Sequence, residues 1–333
     1  MMMLEKVVKN NLIGFLKNSV RDCKILVVGD VMLDTYYYGE VSRISPEAPV
    51  PINHVLNTKE TLGGAANVAH NLALLGAKTS IAGFVGDDLH GQTLEDKLLS
   101  CDIDYFNLVH TSRPTTTKIR VIGGHQQMLR LDFEDSSPFV GVDSDSLFQN
   151  ITEQINSPRS VDVVIISDYG KGTCTMDTCK KIIKLCRHKN IPVLVDPKGT
   201  QWQKYSHANF ITPNLKELNA ILDNPIRNED REVEIAARYA TKKFYIDNII
   251  VTRSDRGLSL FHDNKFTHIK ANAQEVFDVS GAGDTVIAVF ALALAGRIEP
   301  PIAAYLANLA ASVVVAKIGT YALSRDELLN VIK

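Results

Sequence analysis

The chain has 333 residues, 45% of them hydrophobic and 22% charged, which is material for one large core or two modest ones and excludes a disordered chain. Its 36 basic and 38 acidic residues leave a formal net charge of −2, so bulk attraction to nucleic acid or an anionic membrane is excluded and any anion site must be local. Cys23, Cys101, Cys174, Cys179 and Cys186 are odd in number and contain no Cys-x-x-Cys pair, which argues against a disulfide framework or a zinc site and fits reduced thiols in a cytosol.

From the N-terminus, Val7, Val8, Leu12, Ile13 and Leu16 have the spacing of an amphipathic helix packed on the body. Glu5, Lys6, Lys9 and Lys17 break up that segment, so no secretion signal is expected. Short apolar runs followed by turn residues predict buried strands at 25–28, 80–85, 163–167, 193–195, 210–212 and 249–252. Val68 to Leu75, Met176 to Cys186 and Val233 to Phe244 carry apolar residues at helical spacing between them. Strand and helix therefore alternate, which predicts an α/β fold with a doubly wound, mostly parallel sheet. Thr116 to Ile122 and Met128 to Phe133 fall outside that alternation and read as a hairpin turning through Gly123-Gly124-His125-Gln126. The runs Val286 to Ala295 and Ala310 to Ala316 are too short to span a bilayer and read as buried helices. With no repeat, low-complexity tract or long linker, a single domain over residues 1–333 is expected.

The chemistry concentrates in Asp278-Val279-Ser280-Gly281-Ala282-Gly283-Asp284-Thr285, which runs straight into an apolar helix. A glycine-bracketed turn at a helix start leaves backbone N–H groups pointing at one spot, where the helix dipole also favours an anion such as phosphate. Asp284 would repel a resting phosphate, yet it could take the proton of a hydroxyl attacking one. Acid beside anion hole suggests phosphoryl transfer, with helix capping by Asp as the plain alternative. Two other nucleotide motifs are excluded. Gly86-Asp87-Asp88-Leu89-His90-Gly91-Gln92-Thr93 has Gln where a P-loop needs Lys, and Gly29-Asp30-Val31-Met32-Leu33-Asp34 holds no Gly-x-Gly-x-x-Gly.

Asn214 and Glu217 follow a predicted strand and open a helix near strand C-termini, where open α/β sheets bind ligands; a capping pair is the alternative. Asp30 and Asp34, with Gly63, Gly64 and Asn67 at the next helix start, are candidates for binding vicinal hydroxyls, or else turn formers. Arg120, Arg130 and Lys171 are candidate receptors for a phosphate already on the substrate, the first two alternating outward on the hairpin.

Leu62-Gly63-Gly64-Ala65-Ala66-Asn67-Val68-Ala69, Gly83-Phe84-Val85-Gly86-Asp87-Asp88, Asn214-Leu215-Lys216-Glu217 and the Gly281-Ala282-Gly283-Asp284 loop, in this order over nearly the whole chain, resemble the ribokinase, or PfkB, family of carbohydrate kinases. The resemblance implies a ribokinase-like fold whose small β-sheet lid (segments about 36–58 and 114–134) covers the sugar and supplies a homodimer contact. It also implies Asp284 as base and the backbone of Gly281, Ala282 and Gly283 as the anion hole. Glu217 would order the waters of Mg²⁺, and Asn214 would contact the ATP phosphates. Thr252, Ser254, Gly257 and Asn308 would line the adenine site, in segments that also carry Arg253, Arg256, Ala311 and Ser312. A monovalent cation (K⁺) site lies beside the last loop in many relatives, built by backbone carbonyls. Gly39-Glu40-Val41-Ser42-Arg43-Ile44-Ser45-Pro46-Glu47-Ala48-Pro49-Val50-Pro51 looks like a segment peculiar to the heptose 7-phosphate kinases of lipopolysaccharide-core precursor synthesis. The implied substrate is D-glycero-β-D-manno-heptose 7-phosphate, phosphorylated at its anomeric hydroxyl to the 1,7-bisphosphate for ADP-heptose, by a stand-alone cytoplasmic kinase with no nucleic-acid or membrane partner. A kinase for fructose phosphates or a free sugar, and a non-catalytic sugar-binding regulator on the same scaffold, are the competing readings.

Overall fold

The apolar runs form the middle of a nine-stranded sheet, seen in a computed structural model that describes residues 6–157, 160–272, 276–317 and 319–332. In chain order the strands are β1 (Lys24–Gly29), β2 (Val31–Ile44), β3 (Pro51–Gly64), β4 (Lys78–Gly86), β5 (Ile103–Thr111), β6 (Thr117–Gly123), β7 (Gln126–Phe133), β8 (Val163–Ser167), β9 (Val193–Asp196), β10 (Phe210–Ile211), β11 (Asn248–Thr252), β12 (Leu258–His262) and β13 (Lys265–Ile269). The α-helices are α1 (Lys6–Gly14), α2 (Ala65–Leu75), α3 (Leu89–Ser100), α4 (Val142–Asn156), α5 (Met176–His188), α6 (Leu215–Ala220), α7 (Asp230–Phe244), α8 (Ala282–Ala295), α9 (Pro300–Val314) and α10 (Arg325–Ile332).

The large sheet runs β13-β12-β11-β10-β9-β8-β1-β4-β5. Every pair from β11 to β5 is parallel, and only β12 and β13 add antiparallel. Alternation along β1 and β8 splits the core in two: Ile25, Val27, Val163 and Ile165 pack into the layer holding α2, α8 and α9. Leu26, Val28, Val164 and Ile166 pack into the layer holding α4, α5 and α7. Each such side chain is fully buried, contributing about 1.5–3 kcal/mol, so a slip of one residue in these strands is strongly resisted. Helix α8 is buried without interruption from Asp284 to Ala293, because it packs against both α2 and α9; its apolar circumference is a core signal. Among the described residues no helix is long and apolar enough to cross a membrane.

The second sheet has the order β3-β2-β6-β7. Its β6–β7 hairpin forms as the sequence predicts, but the sheet is larger than the expected lid segments: β2 leaves the large sheet one residue after β1 and pairs with β3 from Val31↔Gly64 to Ile44↔Pro51. β2 also runs parallel to β6, placing Asp34 beside Lys118 and Tyr36 beside Arg120. At the N-terminus Leu12 and Leu16 are buried as expected, whereas Val7 faces solvent. β1 continues to β4 and β5 on one side while β8 to β11 lie on its other side, so the chain reverses direction at β1/β8, the place where open α/β sheets bind ligands.

Candidate active site

A cleft of about 1100 Å³ opens at the C-terminal ends of β8 to β11 and reaches the start of α8. Gly281 has φ +79° and ψ 0°, a left-handed conformation that a side chain would strain, and no side chain caps the helix that follows it. The Ala282 N–H is spent on the Val279 carbonyl (3.2 Å), which corrects its expected place in the anion hole, while those of Gly283 and Asp284 find no partner among the described residues. A Cβ on Gly283 would meet nothing within 4 Å, and Gly283 and Asp284 both line the cleft. Asp278 shapes the turn from outside, accepting the N–H groups of Ser280 and Gly319, both at 2.9 Å.

The Asp284 carboxylate is buried and held at both ends. Oδ2 accepts Asn67 Nδ2 at 2.6 Å and Oδ1 accepts the Tyr169 hydroxyl at 2.5 Å. Burial pushes its pKa up to about 6; the two donated hydrogen bonds pull it down, and the charge of Asp34 adds to the rise. Asn67 is thereby tied to Asp284 through its amide nitrogen, and α2 is fastened to α8 again where Thr285 Oγ1 donates to Asn71 Oδ1 at 3.1 Å.

Asp30 and Asp34, equivalent in the sequence, differ in the structure. Asp30 is buried and accepts three backbone N–H groups: Tyr169 (2.8 Å) and Lys171 (3.0 Å) at Oδ2, and Thr173 (3.0 Å) at Oδ1. It is the anchor of the loop after β8, a use that consumes most of its acceptor capacity. Asp34 gives Oδ1 to Arg120 Nη1 at 2.7 Å and leaves Oδ2 without a hydrogen-bond partner among the described residues. A Cβ on Gly63 would fall 2.7 Å from that Oδ2, and one on Gly64 would fall 2.5 Å from the Asp30 carbonyl. Gly63 thus lets β3 pass the Asp34 carboxylate, and Gly64 lets it pass the backbone at the end of β1.

The three expected phosphate receptors are all ion-paired. Arg120 is partly buried on Asp34 and over the Tyr36 ring rather than facing outward. Arg130 is half exposed and pairs with Asp132 on its own strand at 2.8 Å. Lys171 Nζ reaches Glu134 at 2.7 Å, and Lys118 meets the same carboxylate at 3.2 Å. Lys118 had no signal in the sequence; its pairing depends on the register of β6.

Along the cleft, Asn214 and Glu217 form a full capping box at α6: Asn214 Oδ1 accepts the Glu217 N–H (2.9 Å) and Glu217 Oε2 accepts the Asn214 N–H (3.0 Å). Glu217 Oε1 still faces the cleft, 3.7 Å from Lys198 Nζ. Thr252, Ser254, Gly257 and Asn308 line the far end with Ala311 and Ser312. Arg253 does not: it is buried behind the loop, bonded to Asn228, Asp230 and Ser259, while Arg256 pairs with Glu229 at the surface. Asp196, also missed in the sequence, ends β9 in the cleft, where burial and the charges of Asp284 and Glu217 hold its carboxyl well above the usual range. Among the described residues Asp30, Asp168 and Cys174 lie close enough to suggest a metal site. Their donors are already taken: Asp168 accepts the Tyr205 hydroxyl and the Lys204 ammonium, and Cys174 donates to the Ser167 carbonyl.

The description pfkB family carbohydrate kinase matches residues 22–327. The bifunctional protein HldE of Pasteurella multocida is 43% identical over 317 residues, covering 94% of this chain and 64% of that protein. That of Hahella chejuensis is 43% identical over 311 residues, covering 92% and 63%. The chain thus spans less than two thirds of the length of these curated relatives. Among solved structures, Arabidopsis thaliana ribokinase complexed with ribose and ATP superposes with TM-score 0.73 at 20% identity, over 93% of this chain and 99% of that one. Escherichia coli phosphofructokinase-2 in complex with potassium gives 0.76 at 17% identity, over 93% and 98%. These two share the fold. The chain belongs to the pfkB family and is a carbohydrate kinase.

Proposed function

We propose that this kinase transfers the γ-phosphoryl group of ATP to the anomeric hydroxyl of D-glycero-β-D-manno-heptose 7-phosphate, giving the 1,7-bisphosphate and ADP. The observation that carries the reaction type is the buried Asp284 carboxylate beside the Gly283 and Asp284 amides, which line the cleft and find no partner among the described residues. Asp284 takes the acceptor's proton, the oxygen attacks the γ-phosphorus in line, and the amides hold the charge on the transferring group. One such donor contributes about 3 kcal/mol in comparable anion holes.

Asp34 Oδ2, without a hydrogen-bond partner among the described residues, would accept a sugar hydroxyl, with Arg120 holding the carboxylate in place. Lys118 and Lys171, which share Glu134, would serve a distal phosphate, which would compete with Glu134 for them. The hard oxygen of Glu217 fits Mg²⁺, which when bound would neutralise charge on the nucleotide phosphates. Thr252, Ser254, Gly257 and Asn308 would take the nucleoside end, and a K⁺ ion would sit against backbone carbonyls beside the α8 turn. The heptose assignment rests on the 39–51 segment and on the curated relatives, whose names carry HldE. A homodimer through the small sheet is supported by its exposed Val41, Val55, Leu56, Leu129 and Leu131.

ADP release measured over heptose 7-phosphate anomers, fructose phosphates and free sugars, with Mg²⁺ and with or without K⁺, tests the reading. Highest kcat/KM on the β-heptose 7-phosphate supports it. A fructose phosphate or free sugar turned over better would move the assignment to another carbohydrate.

A further inference from the structure

The Asp284 carboxylate is gripped from two independent elements, and only one of them was visible in the sequence. Asn67 comes from α2, while Tyr169 comes from the loop after β8, on the opposite side. That loop is not free to drift. The Tyr169 N–H donates to Asp30 Oδ2 at 2.8 Å, the Gly170 N–H to Asp168 Oδ1 at 2.7 Å, and the Lys171 and Thr173 N–H groups to Asp30. Asp30 therefore fixes the backbone from which the Tyr169 hydroxyl reaches Asp284.

We propose that Tyr169 is a positioning residue of the phosphoryl transfer: braced by Asp30, its hydroxyl holds the Asp284 carboxylate in one rotamer and in its ionised form, ready for the acceptor's proton. The inference rests on Asp284 being the base. The groups facing Asp284 are Tyr169 from the β8 loop, the uncharged Asn67 from α2, Asp34 from β2 and Asp196 from β9. Burial and the two neighbouring carboxylates oppose ionisation, and the Tyr169 and Asn67 bonds favour it. Tyr169 keeps its proton throughout, since burial, then the charges of Asp284 and Asp196, push its ionisation well above the usual phenol range. With one donor on each oxygen, the carboxylate keeps lone pairs for the acceptor hydroxyl but cannot rotate away from it.

The test is Tyr169→Phe, which deletes one hydroxyl. Losing a donor to the ionised form must raise the Asp284 pKa, so the acidic limb of kcat/KM against pH should move to higher pH. At pH 6.5 kcat/KM should fall about three- to tenfold more than at pH 9, with little change in the KM for ATP. A merely structural tyrosine would lower the rate equally at all pH values. The carboxyl is followed directly by ¹³C NMR of aspartate-labelled protein, its resonance assigned by loss in Asp284→Asn. A titration that moves up in Y169F with an unmoved rate limb supports the brace and rejects Asp284 as the base. An inactive D284N together with a Y169F variant that moves neither titration nor limb overturns the brace and leaves the base assignment standing. Should Y169F fail to fold, the wild-type protein answers: a downfield, slowly exchanging phenolic proton, lost as Asp284 protonates and absent in D284N, is expected, and its absence from the wild type overturns the proposal.

Discussion

Asp284→Asn separates a catalytic carboxylate from a structural cap because the two roles require opposite signs of stability change. Raising the Asp284 pKa from 3.8 to about 6 corresponds to about 3 kcal/mol held against the folded state when the group is ionised. The carboxyl ionises less readily in the folded protein than in the unfolded one. Its contribution is therefore most favourable below the unfolded value and is lost as pH rises through about 6. Asparagine removes the charge but accepts only one of the two donors, Asn67 or Tyr169, and forfeits a charge-assisted bond of about 1.5–3 kcal/mol. The net at pH 7.5 is a gain of up to about 1.5 kcal/mol, or a rise in Tm of about 2 °C for a chain of this size. Near pH 4 the gain should vanish, because the wild-type group is then protonated. At pH 7.5, where the wild-type carboxyl is ionised, turnover should fall by about 10²- to 10⁴-fold, and the gap should narrow towards pH 4 as the wild-type base protonates. Calorimetry at both pH values, with ADP release on the same samples, checks both halves. A variant that loses stability at pH 7.5, or keeps wild-type turnover, refutes the reasoning.

Gly281→Ala places a side chain at φ +79° and brings its Cβ to 3.2 Å from Asn67 Nδ2. It should cost about 1–2 kcal/mol by thermal denaturation and reduce kcat more than the KM for ATP; unchanged kcat would dissociate the turn from the chemistry. Arg120→Ala leaves Asp34 buried without its partner, so KM should rise about tenfold for phosphorylated and unphosphorylated sugars alike. Arg130→Ala, which removes only a half-exposed ion pair, should change KM less than about twofold. Leu129→Glu with Leu131→Glu puts two charges on the exposed small-sheet surface and should shift a dimer to monomer in sedimentation velocity; an unchanged sedimentation coefficient would place the contact elsewhere.

What the sequence disclosed follows from how each feature is encoded. β1 and β8 are continuous apolar runs because both faces are covered, and α8 is apolar all round for the same reason, so periodicity and length sufficed. The ordered glycine and Asn-x-x-Glu motifs were legible because each is a short run of chain. β2 was missed: its buried start carries Asp34 and Thr35 and its far half is exposed, so neither alternation nor an apolar run marks it. The edge strand β5 was hidden because Asp104, Asn107 and His110 break up its apolar residues, leaving neither a run nor strict alternation. Asp30 and Asp34 looked equivalent because the backbone N–H groups that occupy Asp30 carry no residue identity. Tyr169 and Asp196 were silent because Asp284 lies far away in the chain, and Lys118 because its pairing with Glu134 depends on how the β6–β7 hairpin closes.

The central claim is that the amides at the start of α8 and the Asp284 carboxylate act on the same phosphoryl group. A crystal structure with a non-hydrolysable ATP analogue and a sugar phosphate tests it most directly. The terminal phosphate is expected within hydrogen-bond distance of the Gly283 and Asp284 N–H groups, with the acceptor oxygen on the Asp284 carboxylate. A terminal phosphate bound elsewhere in the cleft, with Asp284 still closed off between Asn67 and Tyr169, would contradict it.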